Sequence, residues 1–331
     1  MGEIVRAFLT VVLGLGAFFV ALLILYSGTN LLPKRWREGG QIGVFLGPAL
    51  ILLVLGLAIP AVRSIWISMH SDGKGLPFNG LANYKYIFTD KNERTSVINS
   101  VVWVLVGGTL STMFGLIIAR FADGIKGERI VKSLIFIPLT LSLAGAGIIW
   151  KFVYDGPPFN YGLLNAVTKL IPGLPDSLGG DGQRLWLLEH GAYMNTILLV
   201  IILVWVQTGF ATIILSAAIK GVPEALEEAA KVDGATDRQV FYRITLPYIR
   251  PAVLTVITTG TIASLKAFDI VQATTGGNFG TSTIANEAYT TFFVQNRDSL
   301  GSALAVLLFI LVIPVVILNQ RGQKRAQEIG V

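Results

Sequence analysis

EALEEAAKVDGATDRQVFYRITLP, Glu224 to Pro247, is a polar stretch set between two long apolar ones. Its residues spell two short helices and a corner. Pro223 suits the first position of a helix, where its missing N–H costs nothing. Glu224, Glu227 and Glu228 load the first turns with acid beside the positive end of the helix dipole. Asp233-Gly234 ends that helix, because glycine takes the left-handed cap that other residues resist. Thr236 with Gln239 three residues on is a capping-box start for a second helix. Pro247 stands at the entry to the next apolar run. Ala225, Ala229 and Ala230 give the first helix a small-residue surface that another protein can approach closely. A solvated loop with two good helices is the plain reading of these residues; a docking element in water is the functional one.

The rest of the chain says what the hairpin hangs from. Of 331 residues 53% are hydrophobic and only 14% charged, with mean hydropathy +0.66, whereas a soluble domain carries about 25% charged residues. A bilayer-crossing helix needs roughly 20 apolar residues. Spans of that kind are read near 5–29, 43–69, 97–120, 131–154, 195–219, 251–273 and 301–319. The expected fold is an all-α integral membrane protein with no room for a separate soluble domain.

There is no cysteine, which excludes disulfides, a lipoprotein anchor and a thiolate metal site. His70 and His190 are too few for a histidine metal centre, so no metal site is expected. The first span is longer than a signal-peptide core and is followed by Leu31-Leu32-Pro33-Lys34-Arg35 rather than a small-residue cleavage site, so it reads as a retained helix.

The net charge of +6 is not gathered on one face, which argues against nucleic acid. It fits membrane topology instead. With the hairpin in the cytoplasm, basic residues at 34–37, 120–132, 220–250 and 321–325 outnumber those on the other side by nearly two to one. Seven spans then put the N-terminus outside.

Beyond the hairpin, loop 70–96 carries Phe78-Asn79-Gly80-Leu81-Ala82-Asn83-Tyr84. Loop 155–193 opens with Asp155-Gly156-Pro157-Pro158, and Tyr161 to Leu170 has the apolar spacing of a surface helix. Trp66, Trp150 and Trp186 fit an interfacial aromatic belt. Lys151 and Arg63 sit near span ends and are expected to snorkel.

On these residues the chain resembles the permease subunits of bacterial binding-protein-dependent ABC importers. Glu228-Ala229-Ala230, Gly234, Ile244, Leu246 and Pro247 match the family's EAA-x3-G-x9-I-x-LP motif without a gap. Phe78, Gly80, Leu81, Asn83 and Tyr84 look like the outer-loop signature of sugar permeases. Phe268-Asp269, Thr275-Gly276-Gly277 and Ser282-Thr283 look like the stretch after the fifth core span, with Asn278 where the family usually has proline. The resemblance places the chain in the carbohydrate branch, beside maltose, α-glucoside and glycerol-phosphate permeases.

The resemblance implies a six-helix permease core at 37–331 with a cytoplasmic coupling hairpin at 221–250. Residues 1–36 are then an additional N-terminal transmembrane helix and basic linker. It also implies a second homologous permease subunit, two ATPase subunits, an extracytoplasmic sugar-binding protein and a place in the bacterial cell membrane. The chain is not expected to be an enzyme or to hold a cofactor. It has no G-x4-G-K-[ST] loop, so ATP and magnesium belong to the partner ATPase.

The ATPase-coupling surface is expected at Glu224, Glu227, Glu228, Ala229, Ala230, Asp233, Gly234, Ala235, Ile244, Leu246 and Pro247. The sugar path is expected on the two spans that flank the hairpin. Leu203, Val206, Gln207 and Phe210 share one helix face, the amide offering donors and an acceptor to sugar hydroxyls. Gly260, Ser264, Ala267 and Asp269 fall within a narrow arc of the next span. Interhelical packing through small and hydroxyl residues is the competing reading of both sets. Lys266 and Asp269, at i and i+3, are expected to neutralise each other.

An ATP-driven importer of a sugar, an α-glucoside such as maltose or trehalose, is the leading expectation. A secondary transporter or channel driven by an ion gradient is the alternative, and it leaves the hairpin unexplained. A membrane enzyme has no supporting constellation of His, Asp and Glu.

Overall fold

A computed structural model of the chain describes residues 2–31, 33–73, 75–156, 162–176, 179–188 and 193–328. Lys74, Pro157, Pro158, Tyr161 and His190 lie outside them. Among the described residues every regular element is helical, apart from one isolated bridge between His70 and Phe78. Five helices are long and apolar enough to cross a membrane: Val5–Leu31, Lys34–Ser68, Lys91–Ala122, Met194–Lys220 and Asp298–Gly322. Two bent pairs raise the number to seven when each counts as one span. The molecule is an all-α, multi-pass membrane protein.

The chain divides into two compact units, Met1–Trp66 and Ile67–Val331, a later division than the expected boundary at 36/37. The first unit holds α1 (Gly2–Gly28) and nearly all of α2 (Lys34–Ser68). Their apolar windows are unburied, a surface suited to lipid. Arg37 donates to the Asn30 side chain across the joint between the two helices.

The second unit is built around one helix. In chain order it comprises α3 (Ala82–Thr89), α4 (Lys91–Ala122), α5 (Glu128–Phe136), α6 (Leu143–Val153), α7 (Leu163–Lys169) and α8 (Met194–Lys220). The hairpin helices α9 (Glu224–Val232) and α10 (Asp237–Tyr248) follow, then α11 (Arg250–Leu265), α12 (Phe268–Thr274), α13 (Ile284–Tyr289) and α14 (Asp298–Glu328). Of the five long helices α8 is the most enclosed, with 61% of its apolar window buried. Lipid gives helices no hydrophobic reason to associate, so close backbone approach at small residues must hold them. That is how α8 is packed. A Cβ on Gly115 of α4 would meet the Ala211 Cβ at 2.4 Å, and one on Gly209 would meet the Ile135 carbonyl of α5 at 2.4 Å.

The stretch 131–154, read as one span, is broken. Pro138 lies in a tight 3₁₀ turn, Leu141 and Ser142 are extended, and Ser142 caps α6 by accepting from Gly145 N at 3.1 Å. The two halves meet at 104°. Proline cannot donate to the helix ladder, and a serine cap offers the next helix a fresh start. The stretch 251–273 is also interrupted, with Lys266 and Ala267 non-helical between α11 and α12.

The outer-loop motifs are structural fastenings. Asn83 donates to the carbonyls of Ser68 and His70 at 2.9 and 2.8 Å, and the Tyr84 hydroxyl pairs with Ser68 Oγ. Asn99 of α4 donates to the carbonyls of Gly280 and Ser282 at 2.6 and 2.8 Å and accepts from Thr196 of α8. Asn278, standing where proline is usual, closes its own turn by donating to the Thr275 carbonyl at 2.9 Å. Trp186 does not present its ring to lipid, as a belt residue would. It is buried in the core around Leu199 and Leu203, and its indole N–H reaches Asn165 Oδ1 at 2.7 Å, the partner that a buried indole requires.

Candidate functional site

The hairpin folds as its residues dictate, one position adjusted. Pro223 is the flanking residue, extended at φ −60° and ψ 124°, and the helix begins at Glu224. α9 ends in a full Schellman pair. Gly234 N donates to the Lys231 carbonyl at 3.0 Å and Ala235 N to the Ala230 carbonyl at 2.9 Å, with Gly234 at φ +83°. The Thr236–Gln239 capping box is present in both directions, and Lys231 pairs with Asp237 at 3.2 Å across the corner.

Burial sorts the expected coupling residues into exposed and half-buried ones, and Ala225 and Val232 join the exposed set. Ala225, Glu228, Ala229 and Val232 are all exposed and fall at i, i+3, i+4 and i+7. They make one outward face, with Val232 87% exposed. Glu224, Asp233 and Gly234 are exposed beside it. Glu227 faces inward and accepts from the buried Thr245 hydroxyl at 3.0 Å. Ala230, Ala235 and Ile244 are half-buried along a groove of about 350 Å³ in the crook of the hairpin. Leu246 is half-buried and Pro247 exposed. A π-turn at Phe241–Thr245 precedes the proline, and the chain then bends by 68° into α11. The Ile-x-Leu-Pro end of the motif is therefore the corner that returns the chain to the bundle, since proline denies an N–H to the continuing helix.

The expected sugar residues are not brought together on one open face. Leu203 and Val206 are buried in the core with Trp103 and Ile270. Phe210 is half-buried against Ala211, Leu215 and Val256. Gln207 is half-buried with no hydrogen-bond partner among the described residues. Gly260 and Ser264 form a close helix crossing. A Cβ on Gly260 would lie 3.1 Å from Gly108 Cα, and one on Gly107 would lie 2.7 Å from Ser264 Oγ. Ser264 itself donates to the Gly260 carbonyl at 2.8 Å. Ala267 is buried in the break and Asp269 is exposed beyond it.

Because the break takes Lys266 off the helix, the expected i, i+3 neutralisation fails. Both side chains are exposed, and no ion pair joins them among the described residues. Sequence reasoning also missed a run of rings beside this break. Phe268 lies 4.9 Å from Tyr289, which lies 5.2 Å from Phe293. Tyr289 and Phe293 are exposed. The recurrence of aromatics at 289 and 293 was the available signal.

With this geometry in view, residues 111–327 match the family described as binding-protein-dependent transport system inner membrane component. The chain belongs to this family. It is 43% identical to an α-glucoside transport system permease protein of Rhizobium meliloti, over 85% of this chain and 82% of that one. It is 40% identical to an osmoprotective compounds uptake permease protein of Synechocystis, over 86% of this chain and 99% of that one. Its fold is similar to a chain of a bacterial alginate ABC transporter, solved with its periplasmic protein bound to an alginate pentasaccharide. There the TM-score is 0.72 at 18% identity, covering 88% of this chain and 96% of that one.

The chain is thus a multi-pass inner-membrane permease subunit of the carbohydrate branch of ABC importers. Such a permease works with an ATPase and a periplasmic binding protein, and ATP hydrolysis belongs to the separate ATPase component. Among the described residues no group of three or more His, Cys, Asp or Glu is placed to hold a metal ion.

Proposed function

We propose that this permease is the pathway subunit of an ATP-driven importer of an α-glucoside, of the size of maltose or trehalose. It crosses the membrane seven times, six core spans after one N-terminal helix, with the hairpin in the cytoplasm. Alongside it stand a second, homologous permease, two ATPases and an extracytoplasmic sugar-binding protein. The outward face of α9 enters a cleft of one ATPase, and closure of the ATPase pair turns the bundle from inward-facing to outward-facing.

The observation that carries this reading is the exposed Ala225, Glu228, Ala229 and Val232 face on a helix closed at its C-terminal end by Gly234 and Ala235. Small residues beside one carboxylate, with the exposed Val232 at the end, give a surface that another protein can approach closely. The naming of the Rhizobium relative for α-glucosides supports the substrate class. The test is the ATPase activity of the assembled complex with its binding protein across a panel of sugars. Maltose, trehalose or a related α-glucoside should stimulate hydrolysis. Stimulation by monosaccharides or amino acids alone would refute the substrate, and failure of any ATPase to co-purify would refute the coupling.

A further inference from the structure

The loop between α4 and α5 is fastened to the end of α8 by charged groups that neither the coupling face nor the sugar path uses. Lys132 Nζ lies 2.8 Å from Asp123 Oδ1 and 2.6 Å from Glu128 Oε1, and it also donates to Ser216 Oγ. Ser216 donates to Asp123 at 3.0 Å. Lys220 pairs with Glu128 and lies 3.5 Å from Asp123. Two cations face two carboxylates around one hydroxyl, so the set is neutral and multiply bonded.

Shielding separates this set from ordinary surface pairs. The side chains of Asp123, Lys132 and Glu128 are only 16%, 17% and 22% exposed and Ser216 is buried, while Lys220, 54% exposed, closes the set from its solvent side. Exposed ion pairs break and re-form at little cost. Breaking a shielded network strands a charge away from water, which costs far more. Such a network moves as one piece.

Its position says what it moves. Lys220 is the last residue of α8, and only Gly221, Val222 and Pro223 separate it from α9. Glu128 and Lys132 lie in the first turns of α5, the near half of the broken span. Arg120 of α4 adds a second tie, its guanidinium 5.7 Å from the ring of Phe241 in the hairpin's π-turn. Further along α5, the Ile135 carbonyl lies against Gly209 of α8 too closely for any side chain. Past α5 the chain has two extended residues, Leu141 and Ser142, before α6 begins.

We propose that Asp123, Glu128, Lys132, Ser216 and Lys220 form a charge clasp that makes α5 travel with the coupling hairpin. The joint at Leu141-Ser142 then absorbs the motion, and α6 stays behind. These are positioning residues. The inference rests on reading the hairpin as the element that the ATPase drives.

This chain has no cysteine of its own, so in a complex whose partner subunits are made cysteine-free, introduced thiols report distances without background. Spin labels at Ile130→Cys and Tyr242→Cys report α5 against the hairpin, and labels at Ile130→Cys and Phe152→Cys report α5 against α6. All three positions are exposed. On trapping with magnesium-ATP and vanadate, the first distance should hold and the second should shift. With Lys132→Met the first should shift and the change in the second should shrink. Ser216→Ala should act in the same direction to a lesser degree, and it serves if Lys132→Met fails to assemble. A shift of the first distance in the native chain overturns the clasp, as does native behaviour in both variants. Unresponsive native distances also overturn it, whereas the coupling reading stands or falls separately on whether the ATPase co-purifies.

Discussion

The hairpin at 221–250 and the turn at Thr275–Thr283 are both polar connections between apolar helices, and they are built in opposite ways. The hairpin is shaped by its own residues: Gly234 with Lys231, Ala235 with Ala230, Thr236 with Gln239, Glu227 with Thr245. The turn has local bonds among Thr275, Asn278 and Thr281, but side chains distant in sequence fasten it to the bundle. Asn99 bonds Gly280 and Ser282, Ser100 Oγ accepts from Ile284 N at 2.9 Å, and Asn195 reaches the Phe279 carbonyl. One connection shapes itself and leaves a face free. The other spends its polar groups tying three spans together. A change in the first should therefore touch function before folding, and a change in the second should do the reverse.

The largest effect is expected at Asn99. Asn99→Ala strands the Ser282 carbonyl and the Thr196 hydroxyl in a buried place and frees the Gly280 carbonyl at its edge, which costs about 2 kcal/mol or more. Protein yield in membranes and thermal inactivation of the purified complex should both fall. Native yield and melting would show that the turn's long-range ties do not hold the fold.

Next comes Glu228→Lys, which inverts charge on the exposed face without removing any intramolecular bond. ATPase docking and uptake should drop about tenfold while the chain inserts and melts as before. An insertion defect of comparable size would mean that the hairpin is structural too.

A smaller loss is expected from Gly234→Ala. Nothing lies within 4 Å of the added Cβ, so the cost is the left-handed backbone alone, about 1 kcal/mol. Coupled ATP hydrolysis should weaken a few-fold, and a fully native rate would show that the corner tolerates loosening. The least effect belongs to Asn278→Ala, which loses one bond at an exposed turn and should shift stability by about 0.5 kcal/mol. A drop as deep as that at Asn99 would put the turn's own closure on a par with its long-range ties.

The same contrast explains what the sequence made legible. The glycine cap, the capping box and the acidic first turns were readable because each depends on neighbours within a few residues. The spans were readable as apolar length, but a hydropathy window cannot see a bend. Pro138 and Ser142 carried the signal for the 104° break and were absorbed into one long apolar run. The Lys266–Asp269 pairing assumed a continuous helix that ends at Leu265. Leu203 and Val206 were placed on a helical face correctly, but what covers that face is decided by Trp103 and Ile270, far off in the chain. Helix-to-helix distance, not local spacing, separates a lining residue from a packing one.

Helix α4 limits how the bundle tolerates insertions and deletions. Its π-turn at Trp103–Gly108 accommodates one more residue than an α-helical ladder would, and it ends on the glycine pair that lets α11 come close. Each residue of an α-helix turns the chain by about 100°. Removing a single residue there would relax the turn into plain helix and swing everything on one side of it by that angle. Gly107 and Gly108 would rotate away from Gly260 and Ser264, and a bulkier side chain would arrive in their place. The extra residue acts as a phase adjuster, setting which side of a long greasy rod its smallest residues present.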